Sequence, residues 1–230
     1  MTTMQGAALA CALLIAFLVC GIPFGLIVAM RMAHVDVRQV GSGNIGTTNV
    51  AREVGKGAAA LTLLLDAGKG WACVHLGVLA LNALAFDGAV AGAGDPSLSW
   101  VGGLVIAAAV CGHVFSPYLG FHGGKGIAVG FGAVLGYLWP VALGLLVVFL
   151  AFALTTKRVS VGSIAAGLSL PVLTALWCHV ARGSVAWPLV LTTLCVGILV
   201  VWAHRSNIDK LAHGGESAFS FHHDGDGEAR

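Results

Sequence analysis

Seven apolar stretches run along the chain, at about residues 6–30, 57–86, 99–116, 126–138, 140–155, 161–181 and 185–203, with short glycine-punctuated polar segments between them. The first, from Gln5 to Met30, contains no charged side chain and is long enough to cross the roughly 30 Å of hydrocarbon in a bilayer. It exceeds the roughly 7–15-residue core of a secretory signal and no Lys or Arg precedes it, so it is predicted to be a retained first helix. The fourth and fifth stretches are parted only by GYLWP, where Pro140 either turns a hairpin or kinks one long helix. The pattern predicts an all-α integral membrane protein, a bundle of about seven transmembrane helices over residues 1–213. A glycine-rich acidic tail, 214–230, is predicted to be disordered, although its His222, His223, Asp224 and Asp226 have side chains able to grip a metal.

Composition agrees. Of the 230 residues 58% are hydrophobic and only 10% charged, with a mean hydropathy of +0.92; a soluble domain carries about 25% charged residues. The six cysteines all lie inside apolar runs without a CxxC spacing, which reads as packing rather than disulfides or a zinc cage. A net charge of +2 gives no footprint for nucleic acid. Charge does fix an expected orientation. Seven crossings put residues 31–56, 117–125, 156–160 and 204–230 on one side, and ten of the twelve Lys and Arg fall there. By the positive-inside rule that side is cytoplasmic, giving N-out and C-in.

The same parity gathers every polar cluster on the cytoplasmic face: GSGNIGTTNVAR (41–52), GHVFSPYLGFHGGKGIA (112–128), TKRVSVGS (156–163) and HRSNIDKL (204–211). The first offers glycines, hydroxyls, two amides and the cationic fork of Arg52, with no carboxylate. In GGKG, Gly123, Gly124 and Gly126 free the backbone around Lys125 at the start of an apolar run, where a helix N-terminus favours anions. It is not a Walker A loop, whose spacing and following Ser or Thr are absent. Lys157 and Arg158 read as topology anchors, and Ser160 and Ser163 as site residues or caps of the sixth helix. Asp66 and Lys69, at i and i+3 inside the second stretch, pair on one face; such charges either line a wet cavity or sit at the interface. HRSNID fits a His-x4-Asp acyltransferase pattern, but one match of so short a pattern gives Asp209 little weight. The sum is a cationic, hydroxyl-rich site at a membrane surface, suited to phosphorylated substrates, and no metal or nucleotide cofactor is expected.

These four motifs, in this order and together with LDAGKG (65–70), resemble the bacterial membrane acyl-phosphate:glycerol-3-phosphate acyltransferases over about residues 10–213. The resemblance implies transfer of an acyl group from acyl phosphate to the 1-hydroxyl of glycerol 3-phosphate. The products would be lysophosphatidate and inorganic phosphate, made at the cytoplasmic face of a bacterial inner membrane. Carried over by position, it implicates Ser42, Thr48, Arg52, Gly124, Lys125, one of Ser160 and Ser163, His204 and Asn207. Asn44, Asn49, Gly123 and Gly126 join them as candidate binding groups, and His204, Asn207, Lys125 and Ser42 form the candidate catalytic set. Thr47 departs from the family's frequent Ala, and Asp209 stands where a basic residue is expected. The alternative from another class is a transporter of phosphate esters, whose site would lie nearer the bilayer midplane between repeated halves.

Overall fold

The computed structural model describes residues 1–90 and 96–216, and all of its regular structure is helical. The tail histidines and aspartates, at 222–226, lie outside the described residues. In chain order the elements are α1 (Thr3–Gly21), α2 (Phe24–Ala33), α3 (Thr47–Glu53), α4 (Lys56–Leu81), α5 (Ser99–Val114), α6 (Ile127–Tyr137), α7 (Trp139–Thr156), α8 (Val159–Arg182), α9 (Trp187–Ala203) and α10 (Arg205–Ala212).

Each predicted apolar stretch becomes helix, with boundaries set by local chemistry. Thr2 and Gln5 form a reciprocal capping box at the start of α1. Pro23 interrupts the first stretch, so α1 and α2 together make a span of 31 residues rather than one unbroken helix. Trp139–Pro140 and Trp187–Pro188 open α7 and α9, where proline's missing N–H costs nothing. The GYLWP segment therefore breaks the chain at Leu138 into two helices, α6 and α7.

The bundle is turned inside out relative to a soluble core. Leu64, Leu84, Val147, Leu154, Val172 and Val180 are all at least 65% exposed, as a lipid solvent requires. Among the described residues five helical segments are long and apolar enough to span, and a sixth arises if α9 and α10 count as one segment bent by 56°. At 11 residues α6 is about 16 Å long, roughly half the hydrocarbon thickness. It is wedged against α4, where a Cβ at Gly70 would sit 2.3 Å from the Val129 carbonyl and one at Gly132 would sit 1.9 Å from that of Ala67. Only glycine permits that approach, the usual device for packing helices in lipid. Polar motifs predicted as loops also contain helix: most of α3 lies in the first, the start of α8 in the third and most of α10 in the last.

Candidate active site

A cavity of about 640 Å³ opens among α3, α4 and the amino-terminal ends of α6 and α8, and reaches down between α7, α8 and α9. One half is polar, lined by Ser42, Asn44, Thr47, Thr48, Asn49, Arg52, Lys125, Ser160, His204 and Asn207. The other half is apolar, lined by Leu63, Phe131, Val134, Leu145, Phe149, Leu170 and Val196. All four polar motifs therefore meet at one site, and that site continues into the membrane-spanning part of the bundle.

The first motif is held by Asn49. Its amide nitrogen donates to the carbonyls of Val37 (2.8 Å) and Val40 (3.2 Å), while its oxygen accepts the Ser42 N–H (2.9 Å). Asn49 is 2% exposed, so it shapes the loop rather than offering hydrogen bonds to a ligand. Asn44 similarly accepts the Gly46 N–H (2.8 Å) in an Asx turn, and Gly46 opens α3. The turn sends Thr47, Thr48 and Arg52 from one short helix into the cavity, with the Thr47 hydroxyl buried and lacking a hydrogen-bond partner.

The lysine hairpin differs from its sequence reading in one respect. The Gly123 and Gly124 N–H groups donate to the Val114 and His113 carbonyls, and neither glycine lines the cavity. Their backbones are not free for a ligand. They are glycines because the hairpin lies flat on α5: a Cβ on Gly124 would fall 2.3 Å from His113 Nε2. Lys125 follows, and its ammonium donates to Asn207 Oδ1. Gly126, at φ +80°, then turns the chain into α6, whose first residues border the cavity. Unpaired N–H groups of that first turn favour an anion there.

Burial pushes the Lys125 ammonium below its ordinary value; Glu216 opposes the shift, and Lys210 and Arg52 reinforce it. A half-buried cation close to other cations favours an anionic ligand. His204, just beyond the end of α9, is 2% exposed and pushed down to about 4, chiefly by burial. Its Nδ1 lies 2.8 Å from the Val200 carbonyl, which can only accept, so Nδ1 carries the proton and Nε2 is left as an acceptor.

The two serines separate. Ser163 donates to the Val159 carbonyl (2.9 Å), whereas the Ser160 hydroxyl is buried without a partner. Neither caps α8, whose N-cap is Arg158 with no side-chain hydrogen bond; both sit inside the helix, facing the cavity. Asp209 is three-quarters exposed, 3.3 Å from His213, and no part of the cavity wall, so the His-x4-Asp pattern forms no dyad with His204. Asp66 and Lys69 are buried at 2% and 7%, and Asp66 reaches the cavity.

Sequence reasoning missed three site groups. His113 lies inside the second motif but drew no separate notice, and Lys210 was read only as a loop charge. Glu216 fell in the segment assigned to the tail; its Oε1 accepts from Asn207 Nδ2 (3.0 Å) and it borders the cavity. Nothing in the local pattern around Glu216 announces that contact.

The family model described as glycerol-3-phosphate acyltransferase matches residues 10–214. A glycerol-3-phosphate acyltransferase of Rhodopseudomonas palustris (strain BisB5) is 41% identical over 206 residues, covering 90% of this chain and 93% of that protein. One from Synechococcus sp. (strain CC9902) is 38% identical over 204 residues, covering 89% and 92%. Among solved structures, crystal structures of PlsY (YgiH), an integral membrane glycerol 3-phosphate acyltransferase, superpose well. The glycerol 3-phosphate form gives a TM-score of 0.76 at 33% identity, covering 92% of this chain and 96% of that one. The lysophosphatidic acid form gives 0.73 at 30%, covering 92% and 95%.

Proposed function

The chain belongs to the glycerol-3-phosphate acyltransferase family, and from that premise we propose that it transfers an acyl group from acyl phosphate to the 1-hydroxyl of glycerol 3-phosphate. The observation that carries this reading is the single cavity with a cationic, hydroxyl-rich half and an apolar half between membrane helices. Two phosphorylated head groups fit the first and an acyl chain fits the second. The rival reading, a transporter of phosphate esters, finds no support among relatives that are acyltransferases by name.

Acyl phosphate is already an activated mixed anhydride, so no covalent nucleophile on the protein is required. Arg52 and Lys125 hold the two phosphoryl groups against their mutual repulsion, and α6 presents its N-terminus to the same charge. Ser42, Thr48, Ser160 and Asn207 orient glycerol 3-phosphate, with Asn207 itself fixed between Lys125 and Glu216. The 1-hydroxyl oxygen forms its bond to the acyl carbonyl carbon as the bond from that carbon to the phosphate oxygen breaks. The electron pair leaves with phosphate. His204 Nε2 accepts a hydrogen bond from the attacking hydroxyl and aligns it; a ring that resists protonation until about pH 4 is a weak final base. The departing phosphate therefore takes the proton, leaving lysophosphatidate and hydrogen phosphate.

The proposal includes orientation and domain plan. Lys125 and Ser160 border one cavity, so α6 and α7 together return to the side they left, whether or not the short α6 reaches the far surface. Parity then does not depend on that helix. With the basic loops on the same side, the site faces the cytoplasm, N-out and C-in, in a bacterial inner membrane, and residues 1–213 act as one catalytic unit. The test offers purified protein labelled glycerol 3-phosphate with acyl phosphate, acyl-CoA or acyl carrier protein in separate tubes, with and without EDTA. Lysophosphatidate formed only from acyl phosphate, and unaffected by EDTA, is expected; turnover with acyl-CoA would overturn the donor assignment.

A further inference from the structure

Beneath the lysine hairpin lies a buried polar chain that the reaction as described does not use. Lys69 Nζ is 2.7 Å from Asp66 Oδ1, donates to the Ile22 carbonyl at 2.6 Å, and lies 3.3 Å from His113 Nδ1. A carbonyl and a ring nitrogen take hydrogen bonds from the ammonium, while Asp66 holds it as an ion pair, its Oδ1 making no hydrogen bond among the described residues. An ammonium can only donate, so His113 Nδ1 must be the unprotonated nitrogen and the ring proton sits on Nε2. That nitrogen has no hydrogen-bond partner among the described residues, although His113 is only 4% exposed. It lies directly under Gly124, one residue before Lys125, and the ring lines the cavity. A donor that opens on the cavity without a protein partner is one that a ligand can complete.

We propose that His113 is a further substrate-binding residue, donating from Nε2–H to an anionic phosphoryl oxygen held beside Lys125, with its tautomer locked by the Asp66–Lys69 pair. A neutral donor suits this position. Asp66 cancels the Lys69 charge at contact distance, so the network adds direction without adding charge to a site that already holds Arg52, Lys125 and Lys210. The pair also ties the chain break after α1, through the Ile22 carbonyl, to the floor of the hairpin. The inference rests on the phosphoryl chemistry proposed above, and either glycerol 3-phosphate or acyl phosphate could supply the oxygen.

The test separates a donor from a structural tether. In His113→Gln the side-chain amide nitrogen can stand in for Nε2. In His113→Asn the shorter side chain keeps the contact with Lys69 but withdraws from the cavity. A donor to phosphoryl oxygen predicts that Gln stays within about threefold of wild type, while Asn weakens binding roughly ten- to a hundredfold. A tether predicts the reverse order, which would overturn the proposal, as would equal effects. Affinity is read in detergent by titration with glycerol 3-phosphate and, separately, with a non-transferable acyl phosphonate; the ligand whose affinity falls identifies the phosphoryl source. These titrations need no turnover, so they stand apart from the donor assay: failure there with ordered binding here would overturn the reaction and leave this site standing. Selectively labelled histidine in the wild-type protein adds a readout independent of variant folding. The His113 Nε2–H resonance should be that of a neutral ring protonated at Nε2 and should shift on adding one of the two ligands. No shift with either, or a proton on Nδ1, would overturn the assignment.

Discussion

Replacing Lys125 by Met removes one ammonium from a site that holds no other cation on the same loop. In the structure that ammonium is half-buried, donates to Asn207 Oδ1, and is pushed below its ordinary value mainly by burial. A hydrogen bond to a charged phosphoryl group is worth about 1.5–3 kcal/mol, so kcat/KM should fall about 10–200-fold, and further if the contact tightens in the transition state. Arginine should rescue poorly. Gly124 is pressed against His113 and Gly126 holds a left-handed turn, which leaves little freedom to reseat a planar fork. Because Lys125 contacts Asn207 directly, the double variant with Asn207→Ala should lose less than the product of the two single losses, a coupling of about 0.5–3 kcal/mol. Arg52→Ala should resemble Lys125→Met. Lys157→Met should be nearly silent, since Lys157 is exposed at the end of α7 and away from the cavity. The assay is steady-state kinetics with both substrates varied, on variants whose size-exclusion profile and thermal melt match wild type. Near-wild-type kcat/KM for Lys125→Met, or strict additivity with Asn207→Ala, would remove the hairpin from the chemistry.

Gly124→Ala should cost at least tenfold in activity while the protein stays folded. The new methyl would meet an imidazole pinned by Lys69 and must lift the hairpin, a strain of about 1–3 kcal/mol; unchanged kinetics would show that the hairpin is not held by α5. His204 makes stability depend on pH. Its folded value is depressed from 6.5 to about 4, so the unfolded chain takes up a proton first, and its contribution, complete above pH 6.5, is lost as pH falls towards 4. The melting temperature should drop on acidification over that window by more in wild type than in His204→Gln, and parallel curves would refute the neutral buried ring. For orientation, single cysteines at Ser97 and Lys210, in a background without native cysteines, should differ in intact cells, with an impermeant thiol reagent labelling position 97 alone. Labelling of both would refute the proposed parity.

Membrane class, helix count to within one or two, and the convergence of the polar motifs on one site were legible in the chain because each rests on local quantities. Hydropathy over a spanning length, proline at helix starts and loop charge all act within one segment. The same is true of which motifs line the cavity, since their hydroxyls, amides and cations are visible as composition. What each residue in those motifs does is a different matter, decided by contacts between segments far apart in sequence. Asn49 reads like a ligand but spends its amide on Val37, Val40 and Ser42. Gly123 and Gly124 read like an anion cradle but give their N–H groups to α5. Ser160 and Ser163 look interchangeable until the helical register hands one hydroxyl to the Val159 carbonyl and leaves the other unpaired. Lys69 meets His113 across 44 positions and Lys125 meets Asn207 across 82. No periodicity encodes such pairings, because a buried polar group takes whatever partner the packing of helices brings within hydrogen-bond reach.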